Sequence, residues 1–423
     1  MRSFRVRGLW HLPGAQEGPV AGQLTFKPGV GLRLSLTGLL AEPDSIMHST
    51  KPEPTILGVV EQNSMGGRFV TLSQSSRTKV SFSSPGFATE QLHPTTAIFA
   101  ARHVIEPLFV GCRVRFDYID EWARSGRNFE ISRGEDVQNL KMRSQTSLAA
   151  VISGDDLLLS YEIAQNVKQN RFLAREVAAL GLKTSEPRSA GTFIGSFVRP
   201  LHELMILCCD RSVEIQSMHL LIPASEESEA SEYGSFVFSS TLAPRDRGTE
   251  KEPELLFTID DLADDFERAI QEWFTFRESH QAFCGAFFGL LAAPARFLEV
   301  RFEWLIRCVR LLASSVVPSD KTIGSSDAIE WLLTEVRPLQ QQLLSVSPSE
   351  FVRAVTDAQS AIDCGDSFSN VTVHWLAESL KWVLKGFILL QLSPLRSHAA
   401  PLLTRNAHVD YAKRQVANEL RGE

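Results

Sequence analysis

The 423-residue sequence predicts an α+β protein: an antiparallel β-rich N-terminal part, sandwich or barrel-like, followed by an all-α helical bundle. Three observations predict it. Apolar residues alternate with period two through much of the chain up to Ile222. A charged stretch over 223–254, punctuated by Pro and Gly, then interrupts the pattern. Beyond it the apolar residues recur at helical spacing. The implied organisation is a β-rich domain over 1–254, a connecting helical segment over 255–292 and a bundle over 293–423.

The strands read in order. Phe4 to Trp10 alternates, Gly22 to Phe26 follows a Pro/Gly-rich turn, and Gly31 to Thr37 places Leu32, Leu34 and Leu36 on one face. Ile56 to Val60, Phe69 to Leu72 and Lys79 to Phe82 continue at the short spacing of antiparallel sheets. Ala97 to Val104 and Phe109 to Tyr118 predict two longer strands, the second ending before Asp120-Glu-Trp122. Leu157 to Val167 and Glu214 to Ile222 are further strands, with a helix between them over Thr192 to Asp210. Within the charged stretch, Gly234 to Ser240 is a brief apolar run that fits one more strand.

The helices follow. Asp260 and Asp261 suit a helix N-terminus because the dipole there favours negative charge. Pro294 fits the first turn of a long helix through Phe297, Phe302, Leu305, Val309 and Leu312. Another helix runs from Asp327 to Arg337 and stops at Pro338. Ser347-Pro-Ser-Glu350 is a capping box, opening a helix with Phe351, Val355, Ala358 and Ile362 on one face and an end near Gly365. Asn370 is placed to cap the next helix, and Val409 to Arg421 forms the last.

Composition narrows the function. Hydrophobic residues at 43% and charged residues at 22% are ordinary for globular chains, and a net charge of −7 argues against wholesale nucleic-acid binding. The six cysteines form no C-x-x-C pair and no zinc-ligand pattern, so neither metal nor cofactor is expected. No apolar stretch reaches the roughly 20 residues of a membrane span, and the N-terminus lacks a signal-peptide core. A cytoplasmic setting away from membranes is expected. Phosphate-loop, dinucleotide, zinc-hydrolase and nucleophile-elbow motifs are all missing. Arg113, Arg115, Arg124, Arg127 and Arg133 give a local basic excess, which makes the first four candidates for contact with RNA or a phage component.

The segments Gly8-Leu-Trp-His-Leu-Pro-Gly14, Gly22 to Phe26, Gly31 to Leu36 and the string Phe99 to Phe116 resemble the N-terminal domain of ApeA proteins. Phe297 to Glu303 and the helix-loop-helix from Phe351 to Leu392 resemble the HEPN bundle that follows it there. The resemblance implies bacterial anti-phage defence of the abortive-infection type. It also implies a homodimer formed through the bundle, and metal-independent RNA cleavage by an Arg and a His spaced R-x4-6-H.

In this chain the implied catalytic positions hold other residues. Within Asp357-Ala-Gln-Ser-Ala-Ile-Asp-Cys364, Gln359 falls at the Arg position, Ser360 at an Asn position and Cys364 at the His position. An amide brings no charge to a phosphate, and a thiol is mostly protonated near neutral pH. Asp357, Asp363 and Asp366 add repulsion toward a phosphodiester. The one R-x4-6-H pair in the chain, Arg5 with His11, lies on a predicted strand and matches by chance. His374 on the following helix is the neighbour able to approach the site. A defence protein that senses or binds through a degenerate bundle is therefore the leading reading. An active endoribonuclease acting on RNA or tRNA, and a scaffold protein outside defence, remain the alternatives.

Overall fold

The computed structural model describes residues 1–421 apart from 2, 16–17, 42–52, 62–64, 83–85, 126–128, 134–137, 143–145, 169–170, 225–230, 239–253, 263–264, 294, 318–322 and 366–368. Seven strands open the chain: β1 (Phe4–His11), β2 (Val20–Lys27), β3 (Gly31–Thr37), β4 (Glu53–Val60), β5 (Phe69–Ser81), β6 (Thr89–His93) and β7 (Thr96–Ala100). The first six close into an antiparallel barrel in the order β1-β2-β3-β6-β5-β4. Closure depends on β5, whose length lets it pair with β4 along Phe69–Ser75 and with β6 along Ser76–Ser81. Gln74, in the left-handed region at φ 49°, marks the bend between those halves.

Inward positions of each strand fill the barrel, among them Trp10, Leu24, Phe26, Leu34, Ile56, Val70 and Leu92. Trp10 is fully buried, and a Cβ on Gly58 would fall 2.4 Å from its ring. The alternation in the N-terminal sequence is therefore the wall of a barrel packed around one tryptophan.

The chain continues with β8 (Leu108–Phe116), β9 (Phe129–Arg133), β10 (Gln138–Met142), β11 (Leu148–Ile152), β12 (Asp155–Lys168), β13 (Arg171–Ser189), β14 (Ile215–Ile222) and β15 (Glu232–Phe238). From β5 an open antiparallel sheet extends through β7-β15-β14-β8-β13-β12-β11, while β9 and β10 form a separate hairpin. At the outer edge, the Val151 N–H donates to Glu267 Oε1 at 3.1 Å and its carbonyl accepts from Gln271 Nε2 at 2.9 Å.

Among the described residues, the helices of seven residues or more are α1 (Arg199–Cys209), α2 (Phe266–Ser279), α3 (Gln281–Ala292), α4 (Leu298–Val316), α5 (Ser325–Glu335), α6 (Pro348–Cys364), α7 (Asn370–Gln391), α8 (Ala399–Arg405) and α9 (Ala407–Arg421). A continuous apolar core runs from Phe116, Leu159 and Leu180 of the sheet through Leu207, Trp273 and Phe287 to Leu305 and Leu380. The sheet and the helices thus share one interior. The run Ala190–Cys209, with a π-helical turn at Ile194–Val198, is long and apolar enough by length and composition to cross a membrane. Most of it is buried in this core.

Asp210 ends α1 in a left-handed conformation, φ 49°, and meets two lysines of α7. Lys381 Nζ lies 2.7 Å from Asp210 Oδ2 and Lys385 Nζ 2.8 Å from Oδ1. Lys385 also donates to the Leu207 carbonyl at 3.0 Å, satisfying one of the carbonyls that a helix end leaves open. The two lysines hold the Asp210 carboxyl well below the usual carboxylate range against the opposing effect of burial.

Several sequence expectations are corrected. Lys79–Phe82 is not a separate strand but the second half of β5, because the barrel needs one strand to span both neighbours. The strand predicted over Ala97–Val104 ends at Ala100, and the one over Phe109–Tyr118 ends at Phe116. Beyond Phe116, Tyr118 at φ 62° starts the one-turn helix Ile119–Trp122. Strand β13, the longest in the sheet, is not among the strands that the sequence predicts. Helix α4 starts at Leu298 after an extended Phe297, not at Pro294, which lies outside the described residues. Ser369, not Asn370, caps α7, its hydroxyl accepting from the Thr372 N–H.

Candidate functional site

Helix α6 is as well specified as its capping box implies. Ser347 Oγ accepts from the Glu350 N–H at 3.3 Å, and the Ser347 N–H donates to Glu350 Oε2 at 2.9 Å. Phe351, Val355 and Ala358 are buried, and Gly365 ends the helix at φ 73°. The face that carries Gln359 borders a groove of about 590 Å³ against α4, lined by Glu303, Trp304, Ile306, Arg307, Arg310, Leu311, Ser314 and Gln359.

The positions matched to a nuclease motif do not converge there. Gln359 is half-buried, and its amide faces the Glu303 carboxylate. Cys364 is exposed at the end of α6. The Ser360 hydroxyl donates back to the Thr356 carbonyl at 2.9 Å, an intrahelical bond that occupies it. Asp357 is exposed on the same helix, and Asp366 lies outside the described residues. His374 packs edge-on against Trp375 at 4.5 Å between ring centroids and does not line the groove.

The groove's chemistry comes from α4 instead. Arg307 stacks over the Trp304 ring, 4.8 Å from its centroid. Burial, and then the charge of Asp363, raise the Glu303 carboxyl above the ordinary glutamate range, opposed by Gln359 and Arg310. Composition alone missed these residues. The signal was present in α4, whose Val300 and Trp304, with Phe297 just before the helix, fall outside the set that forms its core face.

The basic candidates of the β-rich part are engaged by acids. Arg113 pairs with Glu162, Arg115 Nη2 lies 3.0 Å from Asp120 Oδ2, and Arg124 Nε lies 3.4 Å from Asp260. Asp120 also accepts from the Ala178 N–H at 2.7 Å, so the Asp120-Glu-Trp122 string fixes a corner of the sheet. Arg127 lies outside the described residues. Among the described residues, no group of three or more His, Cys, Asp or Glu side chains is arranged to hold a metal ion.

The family model ApeA N-terminal domain 1 matches residues 5–273, from the first barrel strand into α2. Comparisons with curated proteins and with solved structures find no match. The match covers more than half of the chain, and its span contains the whole barrel and the open sheet. The chain belongs to the ApeA N-terminal domain 1 family, which at the coarse level associates it with anti-phage defence.

Proposed function

We propose that this chain acts in anti-phage defence by binding, through a HEPN-like bundle over 293–423 whose RNase motif is degenerate. In this reading the β-rich part, 1–254, senses a phage-derived signal in the cytoplasm, and the segment 255–292 joins the two. The observation that carries the reading is the groove between α4 and α6. Gln359 stands where the resemblance calls for a cation, and among the described residues no histidine lines the groove to act as acid or base on a ribose hydroxyl.

A second reading, metal-independent RNA cleavage, is favoured by one observation. Glu303 combines a raised carboxyl affinity for protons with the neighbouring guanidinium of Arg310. Those are a titratable group and a cation in one groove. Incubating the purified chain with total RNA and with tRNA, alongside a phage challenge of cells expressing it, separates the two. The binding reading expects intact RNA together with protection. RNA cleavage that Glu303→Gln abolishes would overturn it and establish the second.

A further inference from the structure

We infer that the cleft between the edge of the open sheet, the start of α1 and α2 binds a small molecule with one oxyanion head, phosphate or carboxylate, and an aromatic body. The cleft lies apart from the groove between α4 and α6, and the inference does not depend on what that groove does.

Three irregular pieces of backbone meet around this space. In the two-residue turn between β11 and β12, Ser153 adopts φ 51° and Gly154 φ 86°. The register of β13 against β8 shifts between Lys183 and Arg188. The π-helical turn Ile194–Val198 leads into α1. Bulged strands and π-helical turns are enriched at functional sites because they re-aim side chains that a regular ladder would hold elsewhere. With α2 they enclose about 780 Å³, the size of a site for a small organic ligand.

Two arginines line the cleft, and a buried acid holds each of them. Arg188 donates through Nη1 and Nη2 to the Asp155 carboxylate at 2.6 and 3.1 Å. Arg277 donates through Nε to Glu203 Oε2 at 2.8 Å, and Arg199 takes the other oxygen at 3.0 Å. Glu203 is 3% exposed, so it fixes the Arg277 guanidinium by one edge. The terminal Nη groups of Arg277 donate to no acceptor among the described residues. Planar, paired donors of this kind match two oxygens of one oxyanion. Leu182, Phe197 and Phe274 line the same space and give the rest of the ligand an apolar wall.

The remaining charges limit the head to a single group. Asp155 already neutralises Arg188, and the exposed Glu278 lines the cleft as well. A polyanion such as an RNA strand would meet both carboxylates with one unpaired guanidinium edge to oppose them. A single oxyanion on an aromatic body meets that edge and leaves the acids to solvent and to Arg188.

Calorimetric titration of the full chain with phenyl phosphate, phenylacetate, inorganic phosphate and benzyl alcohol tests the site. Phenyl phosphate or phenylacetate should bind once per chain, and the tighter of the two identifies the head. Inorganic phosphate and benzyl alcohol, each carrying half of the chemistry, should bind at least about tenfold more weakly. Arg277→Lys keeps the charge, loses the paired donors and should weaken binding by about tenfold. Gly195 lines the cleft, and a Cβ there meets no atom within 4 Å. Gly195→Trp should therefore fill the space and abolish binding with the thermal midpoint preserved, independently of any effect of Arg277→Lys on folding. No saturation by either two-part probe below about 10 mM would overturn the proposal. So would inorganic phosphate or benzyl alcohol binding as tightly as the two-part probes, unchanged binding in Gly195→Trp, or displacement of the probe by RNA.

Discussion

Lys385, in the C-terminal half of the bundle's most buried helix, places its ammonium 2.8 Å from Asp210 at the end of the helix that lines the open sheet. Lys381 closes on the other oxygen of the same carboxylate and on Glu378 at 2.8 Å, and Glu378 in turn pairs with Arg301 of α4. Both lysine ammoniums also lie near the face of Trp382, at 5.0 and 4.8 Å from its centroid. Removing one member leaves charges buried without partners, which costs more than the pair contributes when complete. Asp210→Ala is expected to lower stability by about 3–5 kcal/mol, read as a shift in the urea midpoint. An unchanged midpoint would show that the lysines relax to water.

The same cluster sets an acid limit. Asp210 and Glu378 both have folded-state affinities for protons below the ordinary carboxylate values. Groups shifted in this direction contribute stability that is present above the unfolded-state pKa of about 4 and lost as the pH falls toward the folded-state value. The contribution of this cluster is therefore expected to be flat through weakly acidic pH and to fall below about pH 4. Asp210→Asn should shallow that fall, and identical slopes for wild type and variant would refute the assignment.

Gly58 lies flat beneath the ring of Trp10, and Gly22 approaches the same indole from the neighbouring strand. A methyl group at 58 has no space, since the ring is fully buried and walled in by the barrel. Gly58→Ala is expected to cost about 1–3 kcal/mol through overpacking, measured by equilibrium denaturation. Gly154→Ala, which meets no neighbouring atom but has φ 86°, serves as a control for backbone strain without crowding.

Five cysteines are buried and Cys364 alone is exposed. Burial pushes the Cys208, Cys284 and Cys308 thiols up to about 12, so they stay protonated as well as hidden. One thiol per chain should react rapidly with an aromatic disulfide in the native state, and the other five only after unfolding. Loss of the rapid phase in Cys364→Ser identifies it; a rapid phase that survives would not fit this arrangement.

The degree to which each element was legible follows from how local its cause is. The cap at Ser347, the turn at Gly365 and the alternation of Leu32, Leu34 and Leu36 are set by neighbours in the chain, and the fold keeps all of them. Strand β13 was not legible, since runs such as Ala178-Ala-Leu-Gly-Leu182 suit a strand only between β12 and β8. The separate strand read at Lys79 fails for the opposite reason: a continuous β5 is imposed by ring closure, a long-range demand. At the candidate site, the amide and thiol on α6 could be read directly. That α4 supplies Glu303, Arg307 and Arg310 opposite Gln359 depends on packing between helices nearly 50 residues apart, which no local pattern reports.

The side chains of Glu267 and Gln271 occupy the backbone N–H and carbonyl of Val151 that point away from the sheet. An incoming extended peptide recruits such edge groups when it adds itself as a further strand. At Val151 of β11 they are taken, and the barrel pairs its six strands into a ring. An extended peptide therefore finds the backbone of Val151 already occupied by side chains of α2.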